Sequence, residues 1–491
     1  MKWSAIGALA FVTALSCVAH AVLPPPVAKA FRDAGVPPDG VALVVQETGS
    51  VQPLIAHGAA KPMNPASVMK LVTTFAALEL LGPDYRWTTE AFLDGTLENG
   101  VLRGNLILKG HGDPKITVEQ WRAFMADLTA RGLRAVDGDL VLDRSFFAPI
   151  AHDAGAFDGE PLKPYNVGPD ALLVNFKSVR LAFAPNGAGN GVDVIAIPSL
   201  ANVKVGPPLP RLATGDCGDW RDTVAATFVD RGASAEASFA GRYPASCGER
   251  EWWVSLLDPP AYVHAMFTAY FREAGGRFSG GWRDGLAPKG KTPFATLESP
   301  PLYDVVRDVN KLSNNVMARQ VFLTLATAKN APPATTAGAT AAVLRWLASH
   351  QLKMPELVLD NGSGLSRLER ISAGSLVRLL LAADASQVRE EFASSLAVAA
   401  MEGTVERRFQ NVNVGGQALL KTGTLDGARA IAGYVIDAEG RRWALAAIVN
   451  HSNAGRAQGA LDFFVQWVYR HATAWEALNR PSHAAPARLS K

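Results

Sequence analysis

Cysteine is scarce in this chain: its 491 residues hold three. One, Cys17, sits in an N-terminal stretch that reads as a cleavable leader, which leaves Cys217 and Cys247. The nine histidines show no ligand spacing around these two, so no metal and no cofactor is expected. An excess of charge of one sign is also missing. Against 48 Lys and Arg stand 45 Asp and Glu, a net +3. No basic patch interleaved with aromatics occurs, and a nucleic-acid partner is not called for. Beyond the leader no stretch approaches about 18 uncharged apolar residues, so no membrane span is expected. Internal repeats are absent.

What is present describes an ordinary globular protein. The chain is 48% hydrophobic and 19% charged, and its length suggests more than one domain. Lys2, an apolar core from Ala5 to Val18 and Ala19-His20-Ala21 fit a secretory signal peptide over 1–21, cleaved near Ala21. The residue order around Cys17 is poor for a lipoprotein box. In an exported protein the even pair Cys217 and Cys247 reads as a disulfide. It would close a loop of about 31 residues, worth roughly 3–4 kcal/mol by loop entropy. The alternative is two buried free thiols.

Periodicity places a helix over 24–34 and strands at 41–45 and 51–55. A helix runs from Asn64-Pro65 to Gly82-Pro83, with Asn64 as its cap and Pro65 in its first turn. Strands at 87–93 and 101–109, a helix over 117–132 and a strand at 140–142 follow. Residues 146–246 are loop-rich and β-rich. A strand at 293–297 is expected to re-enter the first unit. Helices are expected at 303–309, 316–323, 341–350, 372–384 and 391–399. Strands at 418–424, 428–436 and 443–449 form an antiparallel meander. The last helix, 459–471, carries an apolar stripe around Phe464 and Trp467. Packing on the sheet is the favoured reading of that stripe; a membrane-surface contact, at most peripheral, is the other. The tail, 474–491, is expected to be flexible.

The chemistry-bearing residues lie in three motifs. Ser67 and Lys70 are three apart and share a helix face. A serine hydroxyl is a weak nucleophile until a base takes its proton, and a buried lysine of lowered pKa can be that base. Ser313-Asn314-Asn315 lies between two helices, and Lys421-Thr422-Gly423 ends a strand. Each motif alone is weak, since a chain this long holds about one S-x-x-K by chance. In this order and context the three match the S-x-x-K, S-D-N-type and K-T-G signature of serine β-lactamases and penicillin-binding proteins.

The flanking residues sharpen this. Pro300-Pro301-Leu302, Asn310 to Asn315, Asp360-Asn361-Gly362-Ser363-Gly364-Leu365-Ser366-Arg367 and Lys421 to Leu425 resemble the D-alanyl-D-alanine carboxypeptidase/endopeptidases, the class C low-molecular-mass penicillin-binding proteins. Glu402-Gly403-Thr404 to Arg408 resembles a further family segment, with Glu402 where Asp is more usual. The surroundings of Cys217 and Cys247 resemble the family's insertion. The resemblance covers nearly the whole mature chain. It implies an α/β (α+β) fold: a β-lactamase/transpeptidase-like antiparallel sheet covered by helices. The catalytic domain would be discontinuous, 22–90 and 289–473. The inserted region, 91–288, would be β-rich and form two small lobes, the outer at about 146–246.

The resemblance also implies roles. Ser67 would be the nucleophile, Lys70 its base and Ser313 a proton relay. Asn315 would hold the substrate amide and Lys70. Lys421 and Thr422 would bind the terminal carboxylate, Gly423 would leave room for substrate backbone, and the N–H groups of Ser67 and Thr424 would form the oxyanion hole. The expected partners are peptidoglycan stem peptides, with β-lactams as acylating inhibitors, and the expected location is the periplasm. Two rivals remain: a serine β-lactamase or esterase on the same fold, and a non-catalytic muropeptide-binding or β-lactam-binding module. Glu356 is badly spaced for a deacylation base. His111, in a glycine-rich loop, reads as surface, and Asp360 to Gly364 reads first as a tight turn.

Overall fold

The computed structural model describes residues 23–479, apart from 188, 190 and 329–331. The signal peptide expected over 1–21 lies outside the described residues, as do 480–491 of the tail expected to be flexible over 474–491; residues 474–479 of that tail belong instead to the last helix.

Helix α1 (Pro25–Asp33) precedes strands β1 (Val41–Glu47) and β2 (Ile55–His57). A tight turn, Ala66–Met69, opens α2 (Lys70–Leu81). After a long excursion the chain returns with α3 (Leu302–Lys311), α4 (Asn315–Thr324), α5 (Thr336–Ser349), α6 (Ala373–Asp384) and α7 (Arg389–Ser394). It closes with β3 (Ala397–Val398), β4 (Ala418–Leu425), β5 (Ala428–Ile436), β6 (Arg442–Asn450) and α8 (Gln458–Asn479). The six strands form one antiparallel sheet in the order β3-β4-β5-β6-β1-β2.

Both faces of this sheet are covered, which is why its strands are almost continuously apolar. Val41, Leu43 and Val45 pack with Val27 and Phe31 of α1 and with Leu461 and Phe464 of α8. Ala42 and Val44 point the other way, into a core shared with α2, α3, α4 and α6. Helix α2 is buried without a break from Lys70 to Leu78, as a helix apolar all round must be. Gly82, at φ +85°, ends it. Phe464 and Trp467 are buried in the α1/α8 core, so the C-terminal stripe packs on the sheet. No helix among the described residues is long and apolar enough to cross a membrane.

The excursion builds its own sheets. Thr88–Glu98, Val101–Gly110, Ala135–Val136, Leu140–Asp143, Arg277–Phe278, Trp282–Asp284 and Ala295–Glu298 form a seven-stranded sheet. A three-stranded and a four-stranded sheet lie between Val179 and Val254. The sheets share one contiguous apolar cluster, distinct from the two cores of the six-stranded sheet. Cys217 and Cys247 are disulfide-bonded within this region.

Several boundaries differ from the sequence reading. The strand at Ala295–Glu298 pairs Ala295 with Ala91 and so joins the edge of the excursion's sheet rather than re-entering the first unit. Alternation identified a strand, but not its neighbour. The second strand is Ile55–His57, not 51–55, and Val51 is exposed. The stretch expected as a helix to 399 breaks after Ser394, because Ala397 and Val398 pair with Leu420 and Leu419. The last helix continues past His471 to Asn479.

Candidate active site

The turn that carries Ser67 is held from three sides. Asn64 accepts the Ala66 N–H through Oδ1 at 2.9 Å, but the helical turn starts at Ala66 with Pro65 at its N-cap, so Asn64 is not the cap and Pro65 lies before the first turn. The Asn64 backbone exchanges bonds with the Asn450 side chain at the end of β6, at 2.7 and 2.9 Å. Ala66 sits at φ +48°, so the chain enters as a 3-10 turn and becomes α-helical at Lys70. Two glycines allow the close approach. A Cβ on Gly364 would lie 2.0 Å from the Ala66 carbonyl oxygen, and one on Gly423 would lie 2.4 Å from that of Pro65. Those contacts bring the 360–367 loop and strand β4 against the Ser67 turn.

Lys70 is fully buried. Its Nζ is 2.9 Å from Ser67 Oγ and 2.6 Å from Asn315 Oδ1, and it also bonds the Ser363 carbonyl oxygen. Burial holds its pKa well below the usual lysine value, and the Lys421 charge lowers it further; Glu369 opposes and Arg319 assists. A neutral amine has two N–H donors and one lone pair. Asn315 Oδ1 and Ser363 O can only accept, so they take both N–H groups. In the neutral form the lone pair is left for the Ser67 hydroxyl to donate to, whereas the protonated form donates to Ser67 Oγ.

Lys421 is also buried, and burial lowers its pKa to about 7. Its Nζ lies 2.9 Å from Ser313 Oγ and 2.9 Å from the Thr422 carbonyl. Ser313 occupies the left-handed region, φ +57°, on the bend between α3 and α4. That bend is set by Asn314, whose side chain caps α4 at Met317 N, and by buried Asn310, which donates to Ser395 Oγ and Thr74 Oγ1. The structure thus brings together Ser67, Lys70, Ser313, Asn315 and Lys421. Thr422, Gly423 and Thr424 continue along β4, with Gly423 beside the Ser67 nitrogen and Thr424 exposed.

Other groups carry no residue-type signal in the sequence. The Ser363 carbonyl is one, since a backbone acceptor can belong to any residue. Glu369 is another: it is fully buried, and its Oε1 accepts from the N–H groups of Asp360, Asn361 and Gly362 at 3.3, 3.1 and 2.8 Å. That carboxylate shapes the loop presenting Ser363 O. Gly362 O in turn accepts from Thr73 Oγ1 of α2 at 2.6 Å. Burial raises the Glu369 pKa against the pull of the three N–H bonds. Arg319 lies one turn beyond Asn315 on α4 and is nearly buried; desolvation lowers its pKa to about 10, and it donates to Val167 O. An i, i+4 scan from Asn315 finds it.

Two candidates have structural explanations. Glu356 accepts from Ser372 N and Ser375 Oγ at the start of α6, so it serves a helix terminus. His111 bonds Thr88 Oγ1 through Nδ1 at 2.7 Å, beside Glu90. Among the described residues no group of three or more His, Cys, Asp or Glu is placed to hold a metal ion.

The chain as a whole is similar to known proteins. A D-alanyl-D-alanine carboxypeptidase of an Actinomadura species is 28% identical over 439 residues, covering 86% of this chain and 79% of that protein. The D-alanyl-D-alanine carboxypeptidase DacB of Haemophilus influenzae is 23% identical, covering 85% and 87%. The crystal structure of penicillin binding protein 4 (dacB) from H. influenzae superposes with a TM-score of 0.74 at 23% identity, covering 90% of this chain and 98% of that one. The fold is therefore the mixed helix-and-sheet fold of those proteins. The sequence profile of the D-Ala-D-Ala carboxypeptidase 3 (S13) family matches residues 25–468, and the chain belongs to that family of serine carboxypeptidases.

Proposed function

We propose that the chain is an exported serine DD-peptidase that opens D-alanyl bonds of peptidoglycan stem peptides through an acyl-enzyme on Ser67. The observation that carries this is the bonding of Lys70 Nζ. Nζ contacts Asn315 Oδ1, Ser363 O and Ser67 Oγ, and once it has lost its proton the first two hold its N–H groups and leave its lone pair for Ser67.

The steps follow from the geometry. Ser67 Oγ attacks the penultimate D-alanyl carbonyl as its proton passes to Lys70. The Ser67 and Thr424 N–H groups receive the oxyanion. Lys421 and Thr422 bind the terminal carboxylate, and Asn315 bonds the substrate amide. The proton that Lys70 took passes through Ser313 to the leaving nitrogen, so D-alanine departs and Lys70 is left neutral again. Water then attacks the acyl-enzyme, with Lys70 taking the proton again. The same carbonyl is attacked in carboxypeptidase and cross-link endopeptidase cleavage, and only the leaving amine differs. A β-lactam offers an amide and a carboxylate in similar places and acylates the same serine. Export to the periplasm is supported by the N-terminal pattern and by the Cys217–Cys247 disulfide.

Labelling with a fluorescent penicillin tests this, wild type against Ser67→Ala. Covalent label on the wild type alone is expected, together with D-alanine release from a pentapeptide. A labelled Ser67→Ala protein would remove Ser67 from its role. Fast penicillin hydrolysis without pentapeptide cleavage would favour the β-lactamase reading.

A further inference from the structure

We infer that a cavity beside α4 binds a small amino acid as its zwitterion, with the carboxylate on Arg319 and the ammonium on Asp360. The cavity measures about 260 Å³, more than a single inorganic ion fills. It lies between α4, the turn at 360–361, the segment 150–152 and the first turn of α5. Ser67, Lys70, Ser313, Asn315 and Lys421 do not line it. It is therefore a second site, and the inference does not depend on the function proposed above.

Arg319 is the unusual group in this wall. It is 6% exposed. Its Nη1 donates to Val167 O at 2.7 Å and, at the long limit of 3.5 Å, to Tyr165 O. Among the described residues no acidic oxygen comes within ion-pair reach of it, and Nε and Nη2 carry no hydrogen bond. A buried guanidinium is ordinarily matched by a carboxylate in contact; here Glu369 and Asp360 act on it only through space. Asp360 is in the mirror position. No cation among the described residues pairs with it, and its Oδ2 takes one 3.3 Å bond from Asn361 Nδ2. His152, also in the wall, bonds Asn166 O through Nε2 at 2.6 Å, and burial lowers its pKa, so it stays neutral at pH 7. The wall thus carries one positive and one negative charge that do not close on each other.

The charges select the ligand. A simple anion drawn to Arg319 meets Asp360 as a like charge, and a simple cation drawn to Asp360 meets Arg319. A group that carries both signs answers both residues, each through charge-assisted hydrogen bonds. Ile150, Pro169, Phe322 and Leu323 complete the wall and give a small apolar side chain somewhere to lie. Alanine has all three parts. D-Alanine, which the proposed reaction releases, and L-amino acids share this chemistry, and the test separates them. A bound amino acid would join α4, which carries Asn315, to the loop that presents Ser363 O, and these two groups are the acceptors of Lys70.

Calorimetry on the whole protein, treated with penicillin so that the Ser67 site is filled, tests this with D-alanine, L-alanine, acetate and methylammonium. Saturable binding of an alanine is expected with a dissociation constant on the order of 1 mM. Acetate and methylammonium should each bind at least about tenfold more weakly, because each leaves one charge unanswered. Arg319→Gln and Asp360→Asn should each weaken alanine about tenfold or more, the worth of a hydrogen bond to a charged group. Asp360→Asn, at a half-buried position, keeps the test decisive where Arg319→Gln fails to fold. A preference for D-alanine identifies the reaction product as the occupant, and a preference for L-alanine another source; either supports the site. Absence of saturable binding at about 50 mM overturns the inference. So does alanine binding that Asp360→Asn leaves unchanged, or acetate binding as tight as that of alanine. If penicillin fails to label Ser67, the function proposed above fails, and the comparison of wild type with Asp360→Asn still decides this one.

Discussion

Gly423 runs so close to Ser67 that a Cβ on the glycine would sit 3.1 Å from the Ser67 backbone nitrogen and 2.4 Å from the Pro65 carbonyl oxygen. Both obstacles are backbone, which cannot rotate aside. Gly423→Ala is expected to push β4 away from the Ser67 turn and to spoil the oxyanion hole proposed at the Ser67 and Thr424 N–H groups. Loss of one oxyanion donor costs about 10²–10³ in rate. Penicillin acylation of Gly423→Ala should fall by about that factor, with the far-UV spectrum unchanged. A rate within threefold of wild type would mean that β4 yields and that the approach is not part of the site.

Lys421 offers a prediction about stability. Its pKa falls from the ordinary 10.5 to about 7 through burial. Below pH 7 it is charged in both folded and unfolded chains, and the cost of burying that charge is fully present. Between about 7 and 10.5 the unfolded chain binds the extra proton, so stability rises with pH; above 10.5 the cost is gone. Lys421→Met removes a cost on the order of 5 kcal/mol, offset by about 1 kcal/mol for each lost hydrogen bond. The variant should therefore unfold at higher urea than wild type at pH 6, with the gap narrowing by pH 10. Its activity should fall more on acid-terminated substrates than on esters lacking that group. A gap that widens with pH would contradict the buried-charge account.

The disulfide belongs to the excursion's core, where Cys247 is buried. The bond spans a sequence separation of 30, for which loop entropy gives about 3–4 kcal/mol. An unreduced digest should yield the Cys217–Cys247 peptide pair in the mass spectrometer. Replacing both with serine should lower the melting temperature of that region. Penicillin acylation at 25 °C should stay within about threefold, because the Ser67 turn packs in a different core. Loss of acylation with the melting temperature unchanged would place the excursion in the catalytic machinery.

The motif residues were legible because their chemistry demands particular side chains at particular spacings. Ser67 and Lys70 announce themselves on one helix turn, and Ser313, Asn315 and Lys421 follow in order. The meander was legible because strands buried on both faces are apolar throughout, as in Trp443 to Val449. What positions these residues was less visible. Ser363 contributes a backbone carbonyl, which no residue type encodes. Glu369, in Arg367-Leu368-Glu369-Arg370, looks like a surface charge, and its burial depends on a loop that folds back on it. The strand at Ala295–Glu298 was recognised as a strand, while its choice between two sheets was a tertiary matter.

Glu369 gives the sharpest test of how the base is tuned. Its Oε1 holds three successive N–H groups of the loop that presents Ser363 O to Lys70, and its charge raises the Lys70 pKa against burial, Lys421 and Arg319. Glu369→Gln keeps an acceptor for those N–H groups and removes the charge. Lys70 then loses its proton at lower pH, so the acid limb of the acylation rate should move to lower pH. Glu369→Ala also strands the N–H groups, which costs about 1–3 kcal/mol, and it should lower the melting temperature where Glu369→Gln does so less. The pH dependence of the second-order rate with penicillin measures the first effect and thermal unfolding the second. A limb that stays put in Glu369→Gln would mean that Glu369 shapes the loop without acting on the charge of Lys70. A move to higher pH would mean that losing the ion opens the loop and relieves the burial that lowers the Lys70 pKa.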